Sequence, residues 1–274
     1  MSSLLDMRVL RKRFLTRENL IKTSLSIISL PIFLAIWWML ALYFQGQGYQ
    51  FLPTPPEVWE ALVQSWTQDP ATRVSLLANI YASLVRFLLG FILAMVIAVP
   101  LGLIIGYSEY ANALAWPTVE VLRPIPPIAW VPFLLLAAGF FWGPILTIFI
   151  GVFFPVLSNV IFGVRSVDPL IIDAAKTQGA NRWQVFSKVM FPSSIPYMMA
   201  GVKIGLGVGW MCIVAAEMLA AQGGGVGAII VGGQTVGRYD IMFAGMIAVA
   251  ILGILTLVAG TLIEGRVKKW MGME

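Results

Sequence analysis

One polar stretch, Asp168–Pro192, holds the side chains of this chain that are best placed to do chemistry, and it lies between two long apolar segments. It reads DPLIIDAAKTQGANRWQVFSKVMFP. Its charged residues form a rim of both signs: Asp173, Lys176, Arg182 and Lys188. Its apolar residues offer contact area: Ile171, Ile172, Ala174, Ala175 and Trp183. Gly179 suits a helix end and Pro192 a helix start. This mixture predicts non-covalent docking of a partner; an ordinary solvated loop is the alternative.

Catalytic chemistry is poorly supported by the remaining residues. The chain has no His and one Cys, Cys212, which excludes imidazole catalysis, an intrachain disulfide and a Cys-based metal site. It also lacks G-x-x-x-x-G-K-[ST], so the chain should not bind ATP itself. The glycines at 223–227 lack the accompanying Lys and strand, and they predict a flexible turn. We predict no catalytic residue and no metal site.

Composition places the chain in lipid. Hydrophobic residues make up 59% of the chain and charged residues 11%, whereas soluble domains average about 25% charged residues. A soluble core could not hide this much apolar surface. The formal net charge of +5 does not indicate nucleic acid, because the cations lie in loops beside apolar segments.

About six membrane spans are predicted, since a bilayer core needs roughly 20 apolar residues per helix. We place them near residues 24–44, 78–106, 127–141, 143–164, 194–221 and 241–263. The third is short, and the Pro-rich segment that precedes it, Arg123–Pro127, cannot form a regular helix.

Charge distribution predicts the orientation. Most of the 18 Lys and Arg fall on one side of these spans; the exceptions are Arg73, Arg86, Lys203 and Arg238. The positive-inside rule therefore puts both termini and residues 165–192 in the cytoplasm. The apolar stretch Leu25–Phe44 is too long for a signal core and has no small-residue cleavage site, which predicts an uncleaved first helix.

The predicted outer loop, residues 45–73, contains an amphipathic pattern. Residues from Glu57 to Trp66 place apolar side chains at helical spacing. We interpret this helix as interfacial with Trp anchors; contact with an outer solute-binding protein is the alternative.

The polar stretch resembles the EAA loop of ABC-transporter permease subunits. Asp173, Ala174, Ala175, Gly179, Val189, Phe191 and Pro192 give D-A-A-x3-G-x9-V-x-F-P, where the family has E-A-A-x3-G-x9-I-x-L-P. Further blocks resemble the nitrate/sulfonate/taurine/bicarbonate branch: Leu52–Trp59, Val121–Trp130, Gly163–Pro169, Trp210–Leu219 and Asp240–Met246. Two departures are Asp173 in place of Glu and the stretch Leu134–Pro144, where many relatives carry a W-F-G-I-G-like turn.

The resemblance implies a division of labour among subunits. Two permeases, here most simply two copies of this chain, would pair over two ABC ATPase subunits that bind ATP and Mg, with no cofactor in this chain. A solute-binding protein would deliver the substrate from outside. The implied coupling residues are Asp173, Ala174, Ala175, Gly179, Arg182 and Pro192.

The implied fold is all-α, a polytopic inner-membrane protein with about six transmembrane helices and a cytoplasmic coupling helix, like the type I ABC importers. Its predicted parts are a basic cytoplasmic segment at 1–22, a transmembrane domain at 23–265 with the coupling loop at 165–192, and a cytoplasmic tail at 266–274.

The fifth span carries two further predictions. Gly201, Gly205 and Gly209 repeat every four residues, which lets helices approach closely in membranes. Lys203 and Glu217 fall opposite the start of that ridge, and a charge within a span usually faces a bundle interior or cavity. We predict Lys203, Arg123, Glu217 and Trp130 as candidate pathway residues. Snorkelling of Lys203 and interfacial pairing of Glu217, with Arg86 also at the outer interface, are the alternatives.

The predicted function is a permease subunit that forms the pathway for a small anion such as nitrate, bicarbonate or an alkanesulfonate. A stand-alone secondary transporter or channel is the alternative, and co-purification with ATPase subunits would discriminate. A membrane enzyme has no supporting His, Cys pair or acidic cluster.

Overall fold

The computed structural model describes residues 17–66 and 75–271, and this part of the chain is helical without strands, as predicted. The helices are α1 Arg17–Gly46, α2 Pro55–Gln64, α3 Leu76–Tyr107, α4 Glu109–Leu122, α5 Val131–Arg165, α6 Pro169–Thr177, α7 Arg182–Val185, α8 Phe191–Leu219, α9 Val226–Thr235 and α10 Tyr239–Trp270. A 3-10 turn, Pro127–Trp130, precedes α5, and a π-helical turn, Phe186–Met190, joins α7 to α8. The chain divides into two compact units between Ala61 and Leu62.

The first unit joins α1 to the start of α2 through polar and aromatic contacts. The Thr54 backbone N–H donates to Glu57 Oε2 at 2.7 Å, and Gln45 Nε2 donates to the same oxygen at 3.1 Å. Phe44 packs against the rings of Tyr49 and Phe51. Glu57 thus caps the N-terminus of the predicted outer helix, which begins at Pro55 and ends at Gln64.

Five helical segments of the described chain are long and apolar enough to cross a membrane. They are Ile28–Gly46, Leu76–Tyr107, Pro127–Arg165, Arg182–Leu219 and Tyr239–Trp270. The third and fourth predicted spans both lie in the 39-residue segment Pro127–Arg165. The fifth predicted span begins earlier than expected because α7 and the π turn continue into α8.

Within α5 the chain folds back at Gly139. This residue has φ 76° and ψ −178°, a conformation open to glycine and strained for other residues. A Cβ added at Gly143 would lie 3.2 Å from Leu135 Cα, whereas residues eight apart in a straight helix are separated by about 12 Å. The stretch Leu134–Pro144 therefore contains a sharp bend between a first arm, residues 131–138, and a second arm, residues 143–165.

Close glycine contacts show that α3 and the second arm run parallel. A Cβ at Gly90 would lie 2.6 Å from Ile145 O, and one at Gly106 would lie 2.8 Å from Val164 Cβ. Sequence numbers therefore rise together along the two helices.

Two neighbouring helices can run parallel only if the chain between them returns to the starting side. Residues 109–138, which comprise α4, the 3-10 turn and the first arm, make this return, and we call them the return leg. The third predicted span, 127–141, covers the second part of this return, which begins at Glu109. Arg123 accordingly lies within the return leg and not in a loop between two crossings. A Pro-rich break inside a crossing has the same local sequence as a loop.

α8 runs antiparallel to the second arm, and α10 antiparallel to α8. Gly201 of α8 approaches Val156, and Gly209 approaches Val152, so residue numbers fall along the second arm as they rise along α8. Trp210 Nε1 donates to Thr256 Oγ1 of α10 at 2.9 Å, and Lys203 meets Glu264. The ends of α3, α5 and α10 consequently lie on one side of this unit, together with the α6 loop.

Candidate functional site

α6 is the short helix of the polar stretch, and none of its residues is buried by the part of the chain that the structure describes. Asp168 begins it, with the side chain accepting from the Leu170 N–H at 2.8 Å, and Pro169 occupies the first turn. The exposed fractions of Leu170 and Ile171 are 74% and 53%. α6 therefore presents both apolar and charged residues at the surface of the described chain.

The turn after α6 depends on Gly179. Its φ is +87°, and its N–H donates to the Lys176 carbonyl at 2.9 Å. Asn181 and Gln184 then form a reciprocal capping box, each side chain accepting from the other residue's backbone N–H at 2.8 Å, which starts α7. These local bonds define the turn between the two short helices.

The predicted coupling residues share this surface. Asp173, Ala174, Gly179 and Arg182 are exposed, and Ala175 and Pro192 are half-buried. Asp173 pairs with Lys176 at 3.1 Å, with both side chains more than half exposed. A pair in water contributes little to stability, so its charges remain open to a partner.

A cleft of about 770 Å³ separates this loop from the turn between α3 and α4. Arg182 and Lys176 line it from the loop side, and Tyr107, Ser108 and Glu109 line it from the other. Trp183, 70% exposed, stands beside it with its ring 5.6 Å from that of Phe186. The surface that a partner could contact therefore includes the end of α3 as well as α6 and α7.

Glu217 lies in a buried polar cluster at the opposite end of the unit. Its side chain is 1% exposed and pairs with Arg86 Nη1 of α3 at 3.0 Å. Ser83 Oγ donates to Glu217 Oε2 at 2.8 Å, and the Gly227 N–H donates to the same oxygen at 3.1 Å. Arg86 also donates to the carbonyls of Gly223 and Gly224.

The sequence interpretation missed two members of this cluster, Asn79 and Ser83. Asn79 Oδ1 accepts from the Gly225 N–H at 2.7 Å, and Ser83 Oγ accepts from the Val226 N–H at 2.9 Å. A signal was present, because Asn79, Ser83 and Arg86 are spaced by four and three residues and so form one polar face on an apolar helix. We call Asn79, Ser83, Arg86, Glu217 and the turn 223–227 the outer cluster, because the charge distribution of the sequence predicts that this end of the unit is the outer one.

Lys203 is also paired. Its Nζ lies 2.7 Å from Glu264 Oε2, and Lys268 Nζ lies 2.9 Å from the other oxygen of the same carboxylate. Lys203 is thus held between α8 and α10 and is about one-third exposed.

Arg123 and Trp130 lie on either side of the break in the return leg. Arg123 is exposed at the C-terminus of α4, with its backbone N–H bonded to the Val119 carbonyl at 2.9 Å. Trp130 is half-buried in the 3-10 turn, next to the ring of Phe133.

The glycines at 201, 205 and 209 face the second arm of α5. A Cβ at these positions would lie 2.9 Å from Asn159 Cβ, Val152 Cγ1 and Phe87 Cε2, respectively. Gly207, on the same helix, has no such neighbour within 4 Å. Among residues 17–66 and 75–271, no group of three His, Cys, Asp or Glu is placed to hold a metal ion.

Known proteins resemble this chain in sequence along most of its length. It is 37% identical to a putative ABC transporter permease protein of Methanocaldococcus jannaschii, covering 88% of each chain. It is 32% identical to the taurine transport system permease protein TauC of Escherichia coli, covering 99% of each. It is 31% identical to the nitrate import permease protein NrtB of Synechocystis, covering 83% of each.

Solved structures share the fold. A chain of the inward-facing MetNI methionine ABC transporter matches with a TM-score of 0.59 at 19% identity, covering 78% of this chain and 99% of that one. A chain of a bacterial alginate ABC transporter, crystallised with an alginate-bound periplasmic protein, matches with a TM-score of 0.55 at 18% identity, covering 93% and 99%.

The family assignment rests on both kinds of similarity. Residues 98–269 match the family described as binding-protein-dependent transport system inner membrane component, and this region contains α6, the return leg from α4 onward and most of the helix packing described above. The chain belongs to this family and is a membrane-spanning permease subunit of an ABC-type importer.

Proposed function

We propose that this chain forms the translocation pathway for a small anion, such as nitrate, bicarbonate or an alkanesulfonate, and couples it to separate ATPase subunits. The observation that carries the proposal is the exposed surface of α6 and α7. It combines the D-A-A-x3-G pattern with apolar side chains that residues 17–66 and 75–271 leave uncovered. Such a surface needs a partner, and motion of that partner would reach the spans through α7, which continues into α8.

The substrate class is supported by the relatives. One is named for taurine, a sulfonate, and others for nitrate. Both substrates present a compact, negatively charged oxygen group. A pathway for such a group requires positive charge away from lipid, and the candidate cations are Arg123 and Lys203.

The partners follow from the same reasoning. We propose ABC ATPase subunits on the side of α6, which would bind ATP and Mg, and a solute-binding protein on the side of the outer cluster. A second copy of this chain would complete the membrane part, because one chain has one coupling surface and closed homodimers are the simplest assembly.

We further propose that α6 and both termini face the cytoplasm. α6 and the C-terminal end of α10 lie on the same side of the unit, and both have Lys and Arg residues nearby. The positive-inside rule expects such residues on the cytoplasmic side. A single cysteine at exposed Gln178, in a Cys212→Ala background, should resist a membrane-impermeant thiol reagent applied to intact cells and react in inverted vesicles. Labelling from outside would reverse the orientation.

Reconstitution tests the function directly. The chain would be purified with the ATPase and solute-binding protein encoded beside it and placed in proteoliposomes. We expect uptake of labelled taurine, nitrate or bicarbonate only with ATP and all components present. Uptake by this chain alone, without ATP, would instead support a stand-alone transporter.

A further inference from the structure

We infer that Arg123, at the break in the return leg, is the cation that attracts the anion inside the pathway. This inference rests on the proposed transport function and deepens it. It distinguishes Arg123 from Lys203, the other cation that the sequence pattern places within the candidate pathway.

The return leg places Arg123 about halfway across the unit. α4 has 14 residues, so it carries the chain about 21 Å from the turn at Ser108. Beyond the break, the 3-10 turn and the first arm lead to the bend at Gly139. That bend reaches the outer cluster, because a Cβ at Gly223 would lie 3.2 Å from Phe140 O. The break therefore lies between the two ends of the crossing.

Packing shows that α4 enters the helix bundle and does not lie along its end. Val119 is buried in the same cluster as residues of α3, α5 and α8, and Ala115 and Trp116 pack against that cluster. These three residues share one face of α4. Arg123 follows one turn after Val119 and is exposed.

Arg123 differs from Arg86 and Lys203, the other two cations within the helix bundle, in its charged neighbours. Arg86 is bound to Glu217, and Lys203 is bound to Glu264. Arg86 is therefore largely neutralised by an acid at 3.0 Å. Lys203 shares the Glu264 carboxylate with Lys268 and is held in an ion pair that neutralises only part of their combined charge. The Arg123 side chain makes no ion pair or hydrogen bond with the residues that the structure describes.

The cost of a charge in lipid decides which way this part of α4 faces. A charged side chain near the bilayer centre is expensive and usually faces a protein interior or a water-filled cavity. Glu120, one turn before Arg123, is exposed too. Two exposed charges at this depth require water or a second subunit beside them, and the Pro124–Pro127 break lets them project where regular helix ends. A small anion in that space would meet the guanidinium of Arg123.

The test measures local potential with thiol reagents of opposite charge. A single cysteine replaces Ile125 in a Cys212→Ala background, and permeabilised membranes are treated with anionic MTSES or cationic MTSET. Each rate is divided by the rate at which the same reagent reacts with a free thiol in solution. We expect this normalised rate to be higher for MTSES than for MTSET. Arg123→Gln should lower the MTSES/MTSET rate ratio about tenfold, because a unit charge within several ångströms is removed. Arg123→Lys should keep the preference.

Two controls make the result specific. Glu120→Gln should raise the same ratio, and a cysteine at Gln178 in the α6 loop should show no change with Arg123→Gln. An unchanged ratio at position 125, or a cysteine there that reacts only after denaturation, would overturn the inference. Because no uptake is measured, these outcomes are separate from failure of the transport function, which the proteoliposome assay reports.

Discussion

The outer cluster and the α6 loop both concentrate polar residues, but they satisfy them in opposite ways. In the outer cluster, the carboxylate of Glu217 is bonded by Arg86, Ser83 and a backbone N–H, and almost none of it is exposed. In the α6 loop, Asp173 pairs with Lys176, and both side chains are more than half exposed. The first arrangement fixes the chain to itself, whereas the second leaves a surface that another subunit can contact.

The physical difference is burial. A charge buried with its partner must keep that partner, because a lone buried charge is strongly destabilising. An exposed pair can be separated at little cost. Variants in the two regions should therefore separate folding from coupling.

Breaking the ion pair of the outer cluster should have the largest effect. Glu217→Ala leaves the Arg86 charge buried without its acid and should destabilise the folded subunit by about 3–5 kcal/mol. The measurement is the thermal transition of detergent-purified protein. Asp173→Ala is the matched control in the α6 loop and should change stability by less than about 0.5 kcal/mol. Equal losses in the two variants would contradict the contrast between the regions.

Packing of α8 should be the next most sensitive feature. Gly205→Leu must displace Val152, which lies 2.9 Å from the site of a Cβ, and should cost about 1–3 kcal/mol or prevent assembly. Gly207→Leu, on the same helix, meets open space and should be tolerated. The yield of folded protein by size-exclusion chromatography compares the two. A severe loss with Gly207→Leu alone would show that the ridge is assigned to the wrong face.

Gly179→Arg should separate stability from transport. It places a bulky residue at φ +87°, which costs about 1–2 kcal/mol of local strain, and it projects a charge from the coupling surface. We expect membrane insertion to persist while substrate-stimulated ATPase activity and uptake are lost.

Gly237→Arg is the control for backbone strain, since Gly237 has φ +72° and open space around it. Uptake should survive in that variant. Normal coupled ATPase activity in Gly179→Arg would remove the docking role from the loop.

Lys203→Ala should have the smallest effect on stability. Glu264 keeps Lys268 at 2.9 Å, so loss of one cation from this partly exposed group should cost less than about 1 kcal/mol. Anion uptake in proteoliposomes should fall by less than it does for Arg123→Gln. A greater loss of uptake with Lys203→Ala would return the pathway role to Lys203.

The glycine ridge and the coupling loop illustrate how much local sequence can predict. Glycines repeated every four residues lie on one face of a helix. Gly201, Gly205 and Gly209 could therefore be grouped without knowing which helix they contact. The α6 helix was also predictable, because its start at Asp168 and Pro169 and its end near Gly179 are set by local backbone chemistry.

The membrane environment was likewise fixed by composition, since 59% hydrophobic and 11% charged residues leave no soluble alternative. Tertiary structure decided the partners of the charges. Glu217 and Arg86 are 131 residues apart in the chain, and a helical wheel gives the direction of a side chain but not the neighbour that it meets. Tertiary structure also decided the path between α3 and the second arm. A proline-rich break reads locally as a loop, and only the parallel packing of two distant helices shows that the chain crosses back through it.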